Sequence, residues 1–190
     1  MWQTAAEWHA AINDLAPALL LASVIFDLLG SVTGRDSLKA AGFWTLVGGA
    51  IGAVAAAASG LIAEDTIEHG EAVHRVMETH EVLALSVTGL FVLLAAWRIW
   101  RRGNLGPVER PPYLVAATVG ALGVIWVAHL GGTIVFRHGG GVPSAVMEEA
   151  LRERTGEHEH GPGEEHEHAE PADTAAGHTH PPGTPPHEHD

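Results

Sequence analysis

Fourteen histidines are the residues of this chain best equipped for chemistry, and they fall into two groups. Six of them (His9, His69, His74, His80, His129 and His138) lie in or beside long apolar segments. The other eight form four His-x-His pairs in an acidic C-terminal stretch: His158 with His160, His166 with His168, His178 with His180, and His187 with His189. An imidazole within an apolar segment is costly to place and therefore marks a functional site. A repeated His-x-His spacing among glutamates is a compositional signature of metal binding.

Imidazoles facing one another inside a helical bundle have three uses, and the sequence leaves all three open. They can hold haem b as axial ligands, for which His80 and His129 are the first pair and His9 and His74 the substitutes. They can hold zinc, copper or a related ion with help from Glu81 or Asp14. They can also hydrogen-bond between helices and bind nothing. His80 shares a helical stripe with Val73, Val76, Met77, Leu83, Ala84 and Val87, which predicts a packed face, whereas His74 falls with Glu78 and Glu81 on a polar one. His129 is flanked on its own face by Ile125, Trp126, Gly132 and Thr133.

The tail histidines suit Zn, Ni or Cu(II), bound weakly and without a preset geometry. Residues 155–190 hold nine acids and six prolines but no Lys, Arg, Leu, Ile, Val or aromatic residue. Such a segment cannot build a core and is expected to be a disordered His/Glu-rich tail.

The elements that must position the first group are legible from hydropathy. Leu15–Val32 is interrupted only by Asp27, Ala40–Ala63 carries no formal charge, Val82–Trp97 is unbroken, and Pro111–Phe136 contains His129 alone as a group titrating near neutrality. With their flanks, each supplies the ~17–25 residues that cross a bilayer as a helix. The expectation is an all-α integral membrane four-helix bundle over residues 1–154, with spans near 12–32, 40–63, 80–100 and 112–136. Met1–Asp14 reads as an interfacial entry with Trp2 and Trp8 at headgroup level. Residues 64–79 read as a polar loop merging into the third span, and Ser144–Arg154 as a short surface helix. Span two is rich in small residues (Gly48, Gly49, Gly52, Ala55–Ala58, Ser59, Gly60), the composition of a closely packed helix face.

Arg35 and Lys39 lie between spans one and two, and Arg98, Arg101, Arg102 and Arg110 between spans three and four, while acids dominate between spans two and three. The positive-inside rule then puts both termini outside a bacterial cytoplasmic membrane. All six histidines of the first group fall toward that outer side. Asp27 lies near the other end, where a structural ion pair with Arg35 or Lys39 is expected.

The formal charge of −13 leaves the body near −4 once the tail is set apart, which excludes nucleic acid as a partner. The absence of cysteine removes disulfides, thiolate metal sites and covalently attached haem. No nucleophile–base pairing is legible, so no catalytic residue is assigned and an enzyme is the less favoured class.

The segments His9-Ala-Ala-Ile-Asn-Asp14-Leu-Ala-Pro17, Phe26-Asp27-Leu-Leu, Ser59-Gly60-Leu, His80-Glu81 and Gly131-Gly-Thr-Ile-Val-Phe-Arg-His138-Gly resemble an uncharacterised bacterial four-span membrane family, domain of unknown function 2231. The resemblance spans about Trp8–Val142. Ala10 stands where that family often has a proline after the entry histidine. The resemblance implies a bacterial integral membrane protein and supplies no reaction. Three functional classes follow: a haem b electron-transfer module with a redox partner, a divalent-metal binding accessory to a metal transporter, and a structural subunit of a membrane complex. The oligomeric state is not legible.

Overall fold

Hydropathy and helix-breaking residues divide the chain into six helices. In the computed structural model, which describes residues 4–67 and 70–156, these are α1 (Ala5–Asn13), α2 (Leu15–Thr33), α3 (Asp36–Glu64), α4 (Glu71–Trp100), α5 (Arg110–His138) and α6 (Ser144–Thr155). No strand occurs among the described residues. His69 lies outside them, as do all eight candidate metal ligands of the tail: His158, His160, His166, His168, His178, His180, His187 and His189.

Four helical stretches are long and apolar enough to cross a membrane: Ala5–Thr33, Asp36–Glu64, Glu71–Trp100 and Arg110–His138. At about 1.5 Å per residue each is well over the ~30 Å of a bilayer's hydrocarbon core, so their ends reach the interfaces. The first span begins with a capping box: Thr4 Oγ1 accepts from the Glu7 amide at 3.2 Å, and the Thr4 amide donates to Glu7 Oε2 at 3.1 Å. The break between α1 and α2 has its cause three residues on. Pro17 has no amide to donate to the Asn13 carbonyl four residues back, and its ring crowds that carbonyl. Gly139 closes α5 in a left-handed conformation (φ 66°) that a side chain would resist.

α4 begins at Glu71, about two turns before the expected start of the third span. The polar residues 71–79 extend the helix beyond the apolar stretch, because hydropathy locates the membrane-embedded part of a helix and not its end. α6 forms where a short surface helix was expected. The chain separates into a body running to Leu151 and a second unit from Arg152, of which residues 152–156 are described.

Within the body, α2 and α3 pack most extensively, followed by α4 and α5. The α2–α3 contact depends on missing side chains: a Cβ at Gly49 would lie 3.0 Å from the Leu20 amide nitrogen. Close backbone approach of this kind is what associates helices in lipid. The core between the pairs is small and mixed, with Leu46, Phe91, Tyr113 and Ala117 fully covered.

Candidate functional site

Two polar clusters sit at opposite ends of this bundle. The first surrounds a cavity of roughly 500 Å³, within the ~300–1,000 Å³ range of small-molecule sites. It is bounded by α1, the start of α2, the C-terminal half of α3, the N-terminal half of α4 and the C-terminal half of α5, and its walls are mostly apolar.

His9 and His80 both line it, from different walls. His9, on α1, leans on α3. Its Nδ1 is 3.0 Å from Ser59 Oγ, and a Cβ at Gly60 would come within 3.0 Å of its Cε1. His80, on α4, leans on α5. Its Nδ1 is 3.1 Å from the Val127 carbonyl oxygen, and a Cβ at Gly131 would come within 3.4 Å of its Cε1. Glycines 60 and 131 are therefore the spaces into which the two rings fit.

The hydrogen bonds also assign the ring protons. A carbonyl only accepts, so His80 Nδ1 must carry its hydrogen toward Val127. Ser59 Oγ also lies 2.9 Å from the Ala56 carbonyl; when its hydrogen goes there, its oxygen accepts from the His9 tautomer that carries the proton on Nδ1. With Nδ1 so bonded, each ring in its neutral form presents an unprotonated Nε2. A ring whose Nδ1–H is fixed by an oxygen acceptor presents Nε2 in the orientation of a metal ligand.

The other candidates lie elsewhere. His129 is exposed on the outward face of α5, tilted against Trp126 with ring centroids 5.3 Å apart, and does not line the cavity. The buried stripe of α5 runs through Ala117, Gly120, Ala121 and Val124, and continues at helical spacing to Val127 and Gly131; His129 falls off it. The structure therefore brings His80 together with His9, not with His129. His74 and His138 are exposed. No three His, Asp or Glu side chains converge in metal-binding geometry among the described residues. The proposed cluster of three or four imidazoles with Glu81 or Asp14 is thus not assembled, although both acids line the cavity with Glu7 and Glu64.

The second cluster is a buried ion pair at the basic end of the bundle. Asp27 is 5 % and Arg98 3 % exposed. Arg98 Nη1 donates to both Asp27 oxygens at 2.7 and 2.6 Å, and Tyr113 OH donates to Asp27 Oδ2 at 2.7 Å. Arg98 Nη2 donates to the carbonyls of Lys39 and Gly103, each at 3.2 Å. The guanidinium also lies 5.5 Å from the centre of the Phe43 ring and 5.3 Å from that of Tyr113. Gly42 leaves room for the carboxylate, since a Cβ there would fall 2.7 Å from Asp27 Cγ.

This corrects the expected pairing of Asp27 with Arg35 or Lys39. Arg35 is exposed, and Lys39 Nζ bonds instead to Asp36 Oδ1 and the Gly34 carbonyl. Arg98 is not a loop residue: it belongs to the buried stripe of α4 with Phe91, Leu94 and Ala95.

The sequence profile of the DUF2231 predicted membrane proteins matches residues 5–144, most of the chain and every residue of both clusters. The chain belongs to that family. No curated protein and no solved structure matches it. Both clusters of this DUF2231 chain thus lie inside the family's domain, and the four His-x-His pairs, from His158 and His160 to His187 and His189, lie outside it.

Proposed function

We propose that this membrane protein is a haem b-binding module in which His9 and His80 would hold the iron, at the end of the bundle that faces the outside of a bacterial cytoplasmic membrane. The observation that carries the reading is the matched pair of imidazoles on different walls of one cavity, each held at Nδ1 by an oxygen of the wall it leans on. Two imidazoles are enough for haem, whereas a bare zinc or copper ion needs three or more donors. The apolar walls suit a porphyrin, and the small side chain of Ala84 lines the same cavity. No Lys or Arg lines the cavity, so the propionates belong at its aqueous rim. When bound, haem supplies reversible one-electron chemistry; the chain supplies the ligands, their orientation and a largely apolar enclosure.

The test is a reduced-minus-oxidised visible spectrum of the full chain purified from membranes with ample haem supply. Sharp haem bands that persist in His129→Ala and disappear in His9→Ala and His80→Ala support the reading. A featureless spectrum from well-folded protein overturns it.

A second reading concerns the tail. The repeated spacing of His158 and His160, His166 and His168, His178 and His180, and His187 and His189 favours weak Zn, Ni or Cu binding as an accessory to metal handling outside the membrane. Calorimetric titration of the full chain and of a chain ended at Thr155 tests it. Equal metal uptake by the two removes it.

A further inference from the structure

Next to the Asp27–Arg98 pair lies a small polar pocket of roughly 30 Å³, large enough for one or two water-sized groups. Ser31, Lys39, Arg98, Asn104 and Arg110 contribute its polar lining together with Asp27. Three cations therefore face one carboxylate, and that carboxylate is already bound by Arg98 Nη1 and Tyr113 OH.

The donors are in excess as well. Arg98 Nε is buried and has no hydrogen-bond partner, although the side chain that carries it is 3 % exposed. An orphaned donor on a buried guanidinium is unfavourable, because it has given up its water without gaining an acceptor. Ser31 has no hydrogen bond from its hydroxyl among the described residues, and Arg110 is committed only through Nη2 to the Leu105 carbonyl at 3.2 Å. The nearby acids are occupied: Asp36 pairs with Lys39 at 2.9 Å, and Glu109 with Arg101 at 3.0 Å.

We infer that this pocket binds the oxygens of a phosphate group, with Arg110, Lys39 and Ser31 as its donors and the Arg98 guanidinium adding positive charge at its wall. Its size admits one or two phosphate oxygens and leaves the remainder outside. The basic end of a spanning bundle is also where lipid headgroups lie. Two sources share this chemistry, the headgroup of an anionic phospholipid and free phosphate. The site is independent of the haem reading, since it is formed at the other end of the bundle.

The test is native mass spectrometry of the detergent-purified full chain with three probes: phosphatidylglycerol, diacylglycerol (the same lipid without phosphate) and inorganic phosphate. The double variant carrying Arg110→Gln and Ser31→Ala is compared in each case. It leaves the Asp27–Arg98–Tyr113 bonds intact, and circular dichroism checks that it is folded. Phosphatidylglycerol retained in preference to diacylglycerol, with retention at least about tenfold weaker in the variant, supports the site and names a lipid, tenfold being the lower end for the loss of a single charge-assisted hydrogen bond. Displacement of that lipid by inorganic phosphate, or binding of phosphate alone, also lost in the variant, supports it with a soluble source. Equal retention of both lipids, or retention unchanged in the folded variant, overturns it.

Discussion

The buried ion pair gives the sharpest energetic prediction. Removing the carboxylate in Asp27→Leu leaves Arg98 with two carbonyls and the Tyr113 hydroxyl but no counter-charge, at a position only 3 % exposed. Breaking a buried pair in this way destabilises a protein by about 3–5 kcal/mol, because the surviving charge is left uncompensated. Arg98→Met leaves the converse, a carboxylate held by Tyr113 alone, and should cost a similar amount. The double variant with both Asp27→Leu and Arg98→Met removes both charges and should recover to within about 1–2 kcal/mol of the parent, since apolar replacement of a whole buried pair is often nearly neutral. Reversible unfolding in mixed detergent micelles, followed by tryptophan fluorescence, measures all four states of the cycle. Trp97, whose ring meets Tyr113 edge-on at 6.2 Å, lies close enough to report on the site. If Asp27→Leu costs less than about 1 kcal/mol, or if the double variant is as damaged as the sum of the singles, the pair is not the coupled unit described here.

Other outcomes follow from the same geometry. Gly42→Ala should destabilise by about 1–3 kcal/mol, because its Cβ displaces the Asp27 carboxylate, while Gly48→Ala, whose nearest neighbour is Leu19 Cδ1 at an ordinary 3.5 Å, should be tolerated; the same unfolding assay checks both. Gly60→Val should abolish haem retention by driving His9 out of place, whereas Gly89→Val, with nothing within 4 Å of its Cβ, should leave the spectrum unchanged. Ser59→Ala removes the acceptor that orients His9 and should weaken haem affinity about 10–100-fold, read by competition with apomyoglobin. Glu81→Gln removes one negative charge from the cavity wall and should raise the haem midpoint potential, because less charge then favours the oxidised iron; redox titration reads the shift.

The spans were legible because a membrane accounts for four apolar stretches of such length, three of them without a formal charge. Asp27 was legible as a buried charge for the same reason. Its partner was missed because Arg98 stands beside Arg101 and Arg102 and reads as the first of a basic run. The spacing Phe91, Leu94, Ala95, Arg98 repeats at three, four and seven residues and would have placed it on the packed face. His80 was found by that very rule. The outward position of His129 was not legible, because the buried stripe of α5 is made of Ala, Gly and Val and the lipid-facing side is equally apolar, so hydropathy carries no contrast between the two. The pairing of His9 with His80 rests on how α1 leans on α3, which no spacing within either helix encodes.

The two imidazoles belong to different halves of the molecule. His9 is anchored to the closely packed unit of α1, α2 and α3, and His80 to the pair α4 and α5. A group bound by both nitrogens would act as a crosspiece between the halves at the end where the cavity lies between them. Its binding free energy would then count toward holding the bundle shut, as mass action requires of any ligand taken up by the folded state alone. Occupancy and mechanical integrity would rise and fall together, so the protein's lifetime in the membrane would itself record the supply of what it binds.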